Sequence, residues 1–261
     1  MKFPLHIAED GRWVHDWVRQ SSIKTSDMCL ERWRRELWDD SPEIVKDAAA
    51  LGTACHSVAE YILEADEAPD EAEVTELFNI FWGKMVPTVN IWNSYDQESA
   101  TVEGLSRILS WYNEVYEELV PKKVEWNFNK LFYEDDERIV YFSGTVDLVE
   151  EDRCWDWKFP KRDYTRDRWQ YERWDVQSMA YCWATGIPNF SYAVMHSDGV
   201  GRMDFVRDES HTDWLRAKVL RLCKLLESDE RAMALGDNGW WCSEKWCDYF
   251  AQCKGATIGG T

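Results

Sequence analysis

The segment from Gly144 to Lys158 constrains this chain more than any other. It reads Gly-Thr-Val-Asp-Leu-Val-Glu-Glu-Asp-Arg-Cys-Trp-Asp-Trp-Lys. Apolar and β-branched residues around Asp147, an acidic turn, and the run Cys154 to Phe159 predict two strands of one hairpin. Residues two apart on a strand face the same way, so Asp156 and Lys158 project together and Asp147 on the neighbouring strand can meet them. Two carboxylates converging beside an amine suit a divalent cation and an oriented water. The plain alternative is a surface hairpin with an ordinary Asp–Lys pair, and Asp-x-Lys alone does not separate the two.

The rest of the chain bounds what surrounds this hairpin. Its 261 residues allow one large domain or two small ones, and 45% hydrophobic and 15% aromatic content is ample for a core. Most of the 17 Trp are expected in the core or lining a groove. No apolar run approaches ~20 residues, so no membrane span is expected. The N-terminus lacks a basic-then-apolar leader, so a cytoplasmic protein is expected. The net charge of −19 argues against nucleic-acid binding by a broadly basic surface, though not against a local basic groove. Eight Cys without an export signal read as free thiols or metal ligands.

Along the chain, residues 1–21 read as a short ordered leader carrying Trp13 and Trp17. Ser26 is placed as an N-cap, followed by a helical face of Leu30, Trp33 and Leu37 with Arg32, Arg34 and Arg35 nearby. Helices are predicted over Ala48–Ala65, Glu73–Met85 and Ser99–Leu119. A three-stranded meander follows at Lys123–Tyr133, Arg138–Glu150 and Cys154–Phe159. A helix over Arg173–Thr185 ends at Gly186 and Pro188. Strands at Phe190–His196 and Gly201–Arg207 precede a helix over His211–Leu226. The fold class is α/β or α+β. A central mixed sheet of about five strands is flanked by helices, in one domain spanning residues 1–261. A helical part covers about 22–121, the sheet core 122–208, and a Cys-rich tail at 236–254 is clasped to the N-terminal helix.

That tail reads Trp-Trp-Cys242-Ser-Glu-Lys-Trp-Cys247-Asp-Tyr-Phe-Ala-Gln-Cys253. Cys29 lies far upstream, in the first turn of the Arg-rich helix, where the dipole favours a thiolate. One distant Cys plus a triplet can supply four thiolates to an iron–sulfur cluster. A structural zinc uses similar ligands, and buried Cys can be small hydrophobes. Cys55, Cys154, Cys182 and Cys223 lack partners at ligand spacing and read as packed thiols.

On helices, His56 follows Gly52-Thr-Ala-Cys, whose small residues allow close helix–sheet packing. Gln177 and Tyr181 share a helix face at i,i+4. Taken singly, each reads as an ordinary structural side chain. From Lys158 to Arg173, Lys161, Arg162, Arg166, Arg168 and Arg173 alternate with Phe159, Tyr164, Trp169 and Tyr171. Cations for phosphates and rings for bases fit single-strand binding; a solvated loop over buried aromatics is the alternative.

Together these elements resemble the PD-(D/E)XK nuclease superfamily, and more narrowly its RecB-type exonuclease branch. That branch includes the AddB nuclease domain and small CRISPR-associated and phage exonucleases with iron–sulfur clusters. The matching elements run in the family order: Cys29, Gly52 with His56, Gly144 with Asp147, Asp156 with Lys158, Gln177 with Tyr181, then Cys242, Cys247 and Cys253. Four residues separate the first two Cys of the triplet, where several members have two, and the second acid is Asp156 where many carry Glu.

The resemblance implies a metal-dependent DNA exonuclease of end processing or recombination, and it admits a phage origin. His56, Asp147, Asp156 and the Trp157 carbonyl would hold Mg²⁺ or Mn²⁺. Lys158 would orient water and stabilise developing charge, while Gln177 and Tyr181 position Lys158 or the DNA end. Cys29, Cys242, Cys247 and Cys253 would hold a four-iron cluster. Lys161, Arg162 and Arg166 would contact DNA that is single-stranded or has free ends, and recombination or replication proteins are the implied partners. Glu125, on the preceding strand, is either a further site carboxylate or a solvated strand residue. A catalytically silent DNA-binding or assembly module and a zinc-stapled structural protein are the competing readings.

Overall fold

Asp70 and Asp96 begin their helices with reciprocal capping boxes, Asp70 with Glu73 and Asp96 with Ser99. Each box satisfies two backbone donors that a helix start otherwise leaves open. In this computed structural model, the described residues are 5–38, 44–165, 172, 175–228, 242–243, 247–251 and 253. The elements in order are β1 (Leu5–Ile7), β2 (Trp13–Arg19), α1 (Gln20–Met28), α2 (Leu30–Trp38), α3 (Asp47–Glu64), α4 (Glu71–Met85) and α5 (Gln97–Glu114). There follow β3 (Lys123–Glu134), β4 (Arg138–Val149), β5 (Arg153–Lys158), α6 (Val176–Thr185), β6 (Asn189–His196), β7 (Gly199–Val206) and α7 (Glu209–Glu227). Hydrogen bonding orders the strands β1-β2-β4-β5-β6-β7, with β3 paired to β4, in a mixed seven-stranded sheet. The expected fold class is therefore found, with two strands more than the sequence reading supplies.

The chain divides into two compact units. The first comprises residues 1–42, 128–144 and 209–261. In it β1 pairs antiparallel with β2, and β2 runs parallel to the first half of β4, Trp13 opposite Arg138 and Val18 opposite Phe142. The expected ordered leader thus supplies two strands. Ser26 does not cap a helix: it lies inside α1, its hydroxyl donating to the Ile23 carbonyl at 2.6 Å. Cys29 is extended backbone (φ −162°, ψ 117°) between α1 and α2, one residue before the Arg-rich helix. Trp33 is fully buried, as its helical spacing predicts.

The second unit comprises residues 43–127 and 145–208. Helices α3, α4 and α5 build its core with Leu51, Val58, Ile62, Phe78, Ile108 and Trp111, joined by Trp155 and Trp157 of β5 and Met195 of β6. Trp111 meets Trp157 edge-on at 5.6 Å. Each such buried side chain contributes about 1.5–3 kcal/mol relative to exposure. Strand β5 lies between β4, antiparallel, and β6, parallel. That central place explains why its Cys154-Trp-Asp-Trp run is buried throughout. Helix α5 ends at Glu114, short of the expected Leu119, and a 3₁₀ turn covers Tyr116–Glu118. Gly186, at φ 77°, ends α6 in the left-handed conformation that glycine adopts without steric cost. Among the described residues no helix is long and apolar enough to cross a membrane.

Candidate functional site

All the residues of the predicted metal site fall in the second unit. The β4–β5 register sets Val149 opposite Cys154 and Leu148 opposite Trp155, and Asp147 stands next to that pairing. The Trp157 amide donates to Asp147 Oδ2 at 2.7 Å, tying the first acid to the strand that carries the second. Asp156 and Lys158 share a face of β5, as the Asp-x-Lys spacing requires, and Lys158 Nζ is ion-paired with Asp156 Oδ2. The lysine also stands 5.5 Å over the Tyr192 ring. At the end of β5, buried Arg107 of α5 donates to the Phe159 carbonyl at 3.1 Å.

Helix α3 delivers His56, whose Nδ1 lies 3.4 Å from Asp147 Oδ2 and whose ring meets Phe159 edge-on. Strand β3 delivers Glu125. Ligand atoms of His56, Glu125 and Asp147 all lie within 4.8 Å of one another. Donors about 2.1 Å from a metal on opposite sides stand about 4.2 Å apart, so this spacing is close to a ligand shell. Glu125 is also the non-glycine residue with positive φ, at 43°, among the described residues. That conformation inside a strand costs about 1–3 kcal/mol and persists only where the surroundings impose it.

Behind the acids is a polar chain. Gln177 Nε2 donates to Asp156 Oδ1 and to the Tyr181 hydroxyl at 3.1 Å. Tyr192 donates to Asp175 Oδ2 at 2.9 Å and reaches Gln177 Oε1 at 3.2 Å. Gln177 and Tyr181 thus share a face of α6, as their i,i+4 spacing predicts, and Gln177 reaches Asp156. Asp175 and Tyr192 escape the sequence reading. Asp175 has a readable signal, since it caps α6 by accepting from the Ser178 amide at 2.9 Å. Tyr192 has none: it is opposite Asp156 only through the parallel β5–β6 pairing.

The electrostatics follow from burial and crowding. Burial, then the Asp156 charge, raises the Asp147 carboxyl well above its ordinary value. Glu125 is pushed up to about 7 by burial and by Asp147. Burial lowers His56 against the opposing pull of Asp156, which leaves the neutral imidazole that metals bind. Burial works to lower Lys158, but the Asp156 and Asp147 charges outweigh it and its pKa rises, so the ammonium persists. A neutral imidazole and oxygen donors held against mutual repulsion fit a divalent cation.

Lys161 and Arg162 are exposed. The Lys161 ammonium lies 4.8 Å over the Tyr95 ring. Arg166 lies outside the described residues, as do Arg168, Trp169, Tyr171 and Arg173. In the first unit Cys29 is buried and Cys242, Cys247 and Cys253 are half-buried. The Arg32 amide approaches Cys29 Sγ at 3.5 Å. Burial raises the Cys247 and Cys253 thiols, and each also feels the thiols of Cys29 and Cys242. Arg35 of α2 stands 6.0 Å over the Tyr249 ring of the tail.

A family model described as the PD-(D/E)XK nuclease superfamily matches residues 20–254. Among solved structures, the chain is similar to the crystal structure of SSO0001, at 12% identity and a TM-score of 0.41, over 90% of this chain and 95% of that one. A likeness at that level carries no argument about activity. No curated protein matches the sequence.

Proposed function

The chain belongs to the PD-(D/E)XK nuclease superfamily, and from that premise we propose that it is a metal-dependent DNA exonuclease with an iron–sulfur cluster. Membership alone gives the coarser statement: a nuclease, hence a phosphodiesterase, that uses divalent metal and acts on DNA. The observation that carries the reading is the convergence of His56 and Asp147 beside the Asp156–Lys158 pair.

The expected holders of Mg²⁺ or Mn²⁺ are His56, Asp147, Asp156 and the Trp157 carbonyl. A bound ion supplies Lewis acidity at the phosphate and a lowered pKa for its water. Lys158 stays protonated and donates to the attacking water or a phosphate oxygen, stabilising charge as it develops. Gln177 holds the Asp156 carboxylate, and Tyr181 anchors Gln177. Lys161, Arg162 and Arg166 contact the DNA backbone, with single strands or free ends as substrate.

Cys29, Cys242, Cys247 and Cys253 hold the cluster, a reading supported by the shared electrostatic neighbourhood of their thiols. The protein is cytoplasmic, works as one domain over residues 1–261, and acts in end processing or recombination with recombination or replication partners.

The test is degradation of end-labelled single- and double-stranded DNA with Mg²⁺, Mn²⁺ or EDTA by anaerobically purified protein. Asp147→Ala should lose metal binding and activity together. Lys158→Ala should bind Mn²⁺ normally yet cleave roughly 10²–10³-fold more slowly. Cys247→Ala should lose iron and Cys182→Ala keep it. Wild type with a full cluster and Mn²⁺ that degrades no DNA form would instead be a silent DNA-binding module. Stoichiometric zinc without iron would remove the cluster.

A further inference from the structure

We propose that Tyr192 is a positioning residue of the site: the face of its ring holds the Lys158 ammonium, and its hydroxyl orients the Gln177 amide that holds Asp156. The inference rests on the nuclease reading above and adds to it a residue that no motif marks.

The ring comes first. Parallel pairing of β5 with β6 sets Tyr192 opposite Asp156, so its ring lies on the face of the sheet that carries Asp156 and Lys158. Lys158 Nζ stands 5.5 Å from the ring centroid. An ammonium within about 6 Å of an aromatic face is attracted by the ring quadrupole, and more strongly where water is excluded. Tyr192 is fully buried. Phe190 meets its ring edge-on at 4.7 Å and Phe205 at 6.1 Å, so the face it turns to the lysine is fixed. The opposite charge that Lys158 faces is Asp156 Oδ2, which is buried and has no hydrogen-bond partner among the described residues. Asp156 is also an expected metal holder, so its charge is divided between the lysine and an ion. The ring face offers a metal no ligand atom and stays with the lysine.

The hydroxyl works on the acid. Asp175 caps α6, and the Oδ2 that accepts from the Ser178 amide also accepts from the Tyr192 hydroxyl, each at 2.9 Å. Burial, then the Asp175 charge, raises that hydroxyl well above its ordinary value, so it keeps its proton and donates. Gln177 Oε1 lies 3.2 Å from the same hydroxyl, while Gln177 Nε2 donates to Asp156 Oδ1. A glutamine amide has one donating and one accepting end. With its oxygen at Tyr192, its NH₂ is turned to Asp156; reversed, it would set an oxygen against the carboxylate. Tyr192 therefore serves both halves of the Asp-x-Lys pair, the lysine directly and the acid through Gln177.

Two measurements on the full chain test this. The first is steady-state cleavage of end-labelled DNA with Mn²⁺. Tyr192→Leu should lower kcat by about 10- to 30-fold with KM unchanged. Tyr192→Phe keeps the ring and should recover kcat to within about threefold of wild type. Because the ring acts through Lys158, Tyr192→Leu should cost no more than that same threefold, roughly, once Lys158 is replaced by Ala. Losses that multiply in the double variant, or a phenylalanine variant as slow as the leucine one, overturn the proposal.

The second measurement reads the placement of Lys158 without DNA, by NMR of protein carrying ¹³C-labelled lysine. The Lys158 ε-protons, identified by their absence in Lys158→Arg, should be shifted upfield by the aromatic ring. They should stay shifted in Tyr192→Phe and return to the ordinary lysine position in Tyr192→Leu. Tyr192→Met fills the space without a ring and replaces the leucine variant in both measurements if that one does not fold. An ordinary Lys158 position in wild type overturns the proposal with no variant needed. Wild type that shows the shifted resonance yet cleaves no DNA form removes the nuclease reading and supports the placement of Lys158 by Tyr192.

Discussion

Each compact unit holds a histidine against carboxylates, but the balancing charge comes from different places. In the first unit His15 is fully buried, and its Nε2 lies 2.9 Å from Glu227 Oε1. Trp17 Nε1 donates to His15 Nδ1 at 3.1 Å, so the ring proton sits on Nε2 and points at Glu227. Arg138 closes the group, donating to Glu227 from Nε and from Nη2, each at 2.7 Å. In the second unit Glu125, Asp147 and Asp156 crowd a neutral His56, with Lys158 committed to Asp156. The first network is complete within the protein, whereas the second is short of positive charge. A buried ionic group that the chain balances itself reads as structure, and one left unbalanced reads as a place for an ion.

The largest expected effect comes from breaking the balanced network. Arg138→Met leaves Glu227 buried without its cation and should cost about 3–5 kcal/mol of stability in urea unfolding. Asp147→Asn should act with the opposite sign in EDTA, because it removes a carboxylate repelled by Asp156. If Asp147→Asn destabilises the metal-free protein as much as Arg138→Met does, the second site is already balanced and the contrast is gone.

The same contrast should appear as opposed pH dependences. Burial holds His15 below its ordinary value of 6.5. As pH falls through 6.5, the unfolded chain gains a proton that folded His15 refuses, so stability is lost toward acid. Asp147 is raised from 3.8, and Glu125 from 4.5 to about 7. As pH rises from those lower values, the unfolded chain releases protons that the folded carboxyls keep. The contribution of these two carboxyls to metal-free stability therefore falls toward neutral pH. Melting between about pH 5 and pH 8 in EDTA should show His15→Phe flattening the acid side and Glu125→Gln the neutral side. Saturating Mg²⁺ should abolish the neutral-side loss in wild type; a loss unchanged by Mg²⁺ would place its cause outside the site.

What the sequence discloses follows the strength of its periodic signals. The long helices and the strands β3 to β7 are legible from runs and turn residues, and the Asp-x-Lys hairpin from spacing alone. Strand β2 is not, because its burial runs two buried residues to one exposed along Val14 to Arg19, and its register with β4 shifts between His15 and Val18. An irregularity erases the period of two on which a strand reading depends. Helix α1 lacks an apolar face, with only Ile23 and Ser26 buried, so nothing periodic marks where it starts. In the site, His56, Asp147, Asp156, Lys158, Gln177 and Tyr181 are legible by motif. Glu125 stays undecided at that level because a residue name does not reveal a positive φ. Small residues on α3 are expected to allow close helix–sheet packing, yet a Cβ at Gly52 would meet nothing within 4 Å.

Unlike the charges of its candidate metal site, the apolar packing of the second unit is expected to be complete. The glycine that packing requires is Gly104 of α5. A Cβ there would lie 2.4 Å from Leu51 Cδ1 and 2.6 Å from Phe78 Cζ, both of them buried core side chains. Gly104→Ala gains helix propensity but forces those side chains off their rotamers, and overpacking of this kind costs about 1–3 kcal/mol. Gly52→Ala meets open space in α3 and should return the helix penalty of glycine, about 0.5–1 kcal/mol. Urea midpoints of the two variants should therefore move in opposite directions, with m-values unchanged. Both variants stabilising the protein would mean that the core has room at Gly104. Completeness of packing would then no longer distinguish the second unit's core from its site.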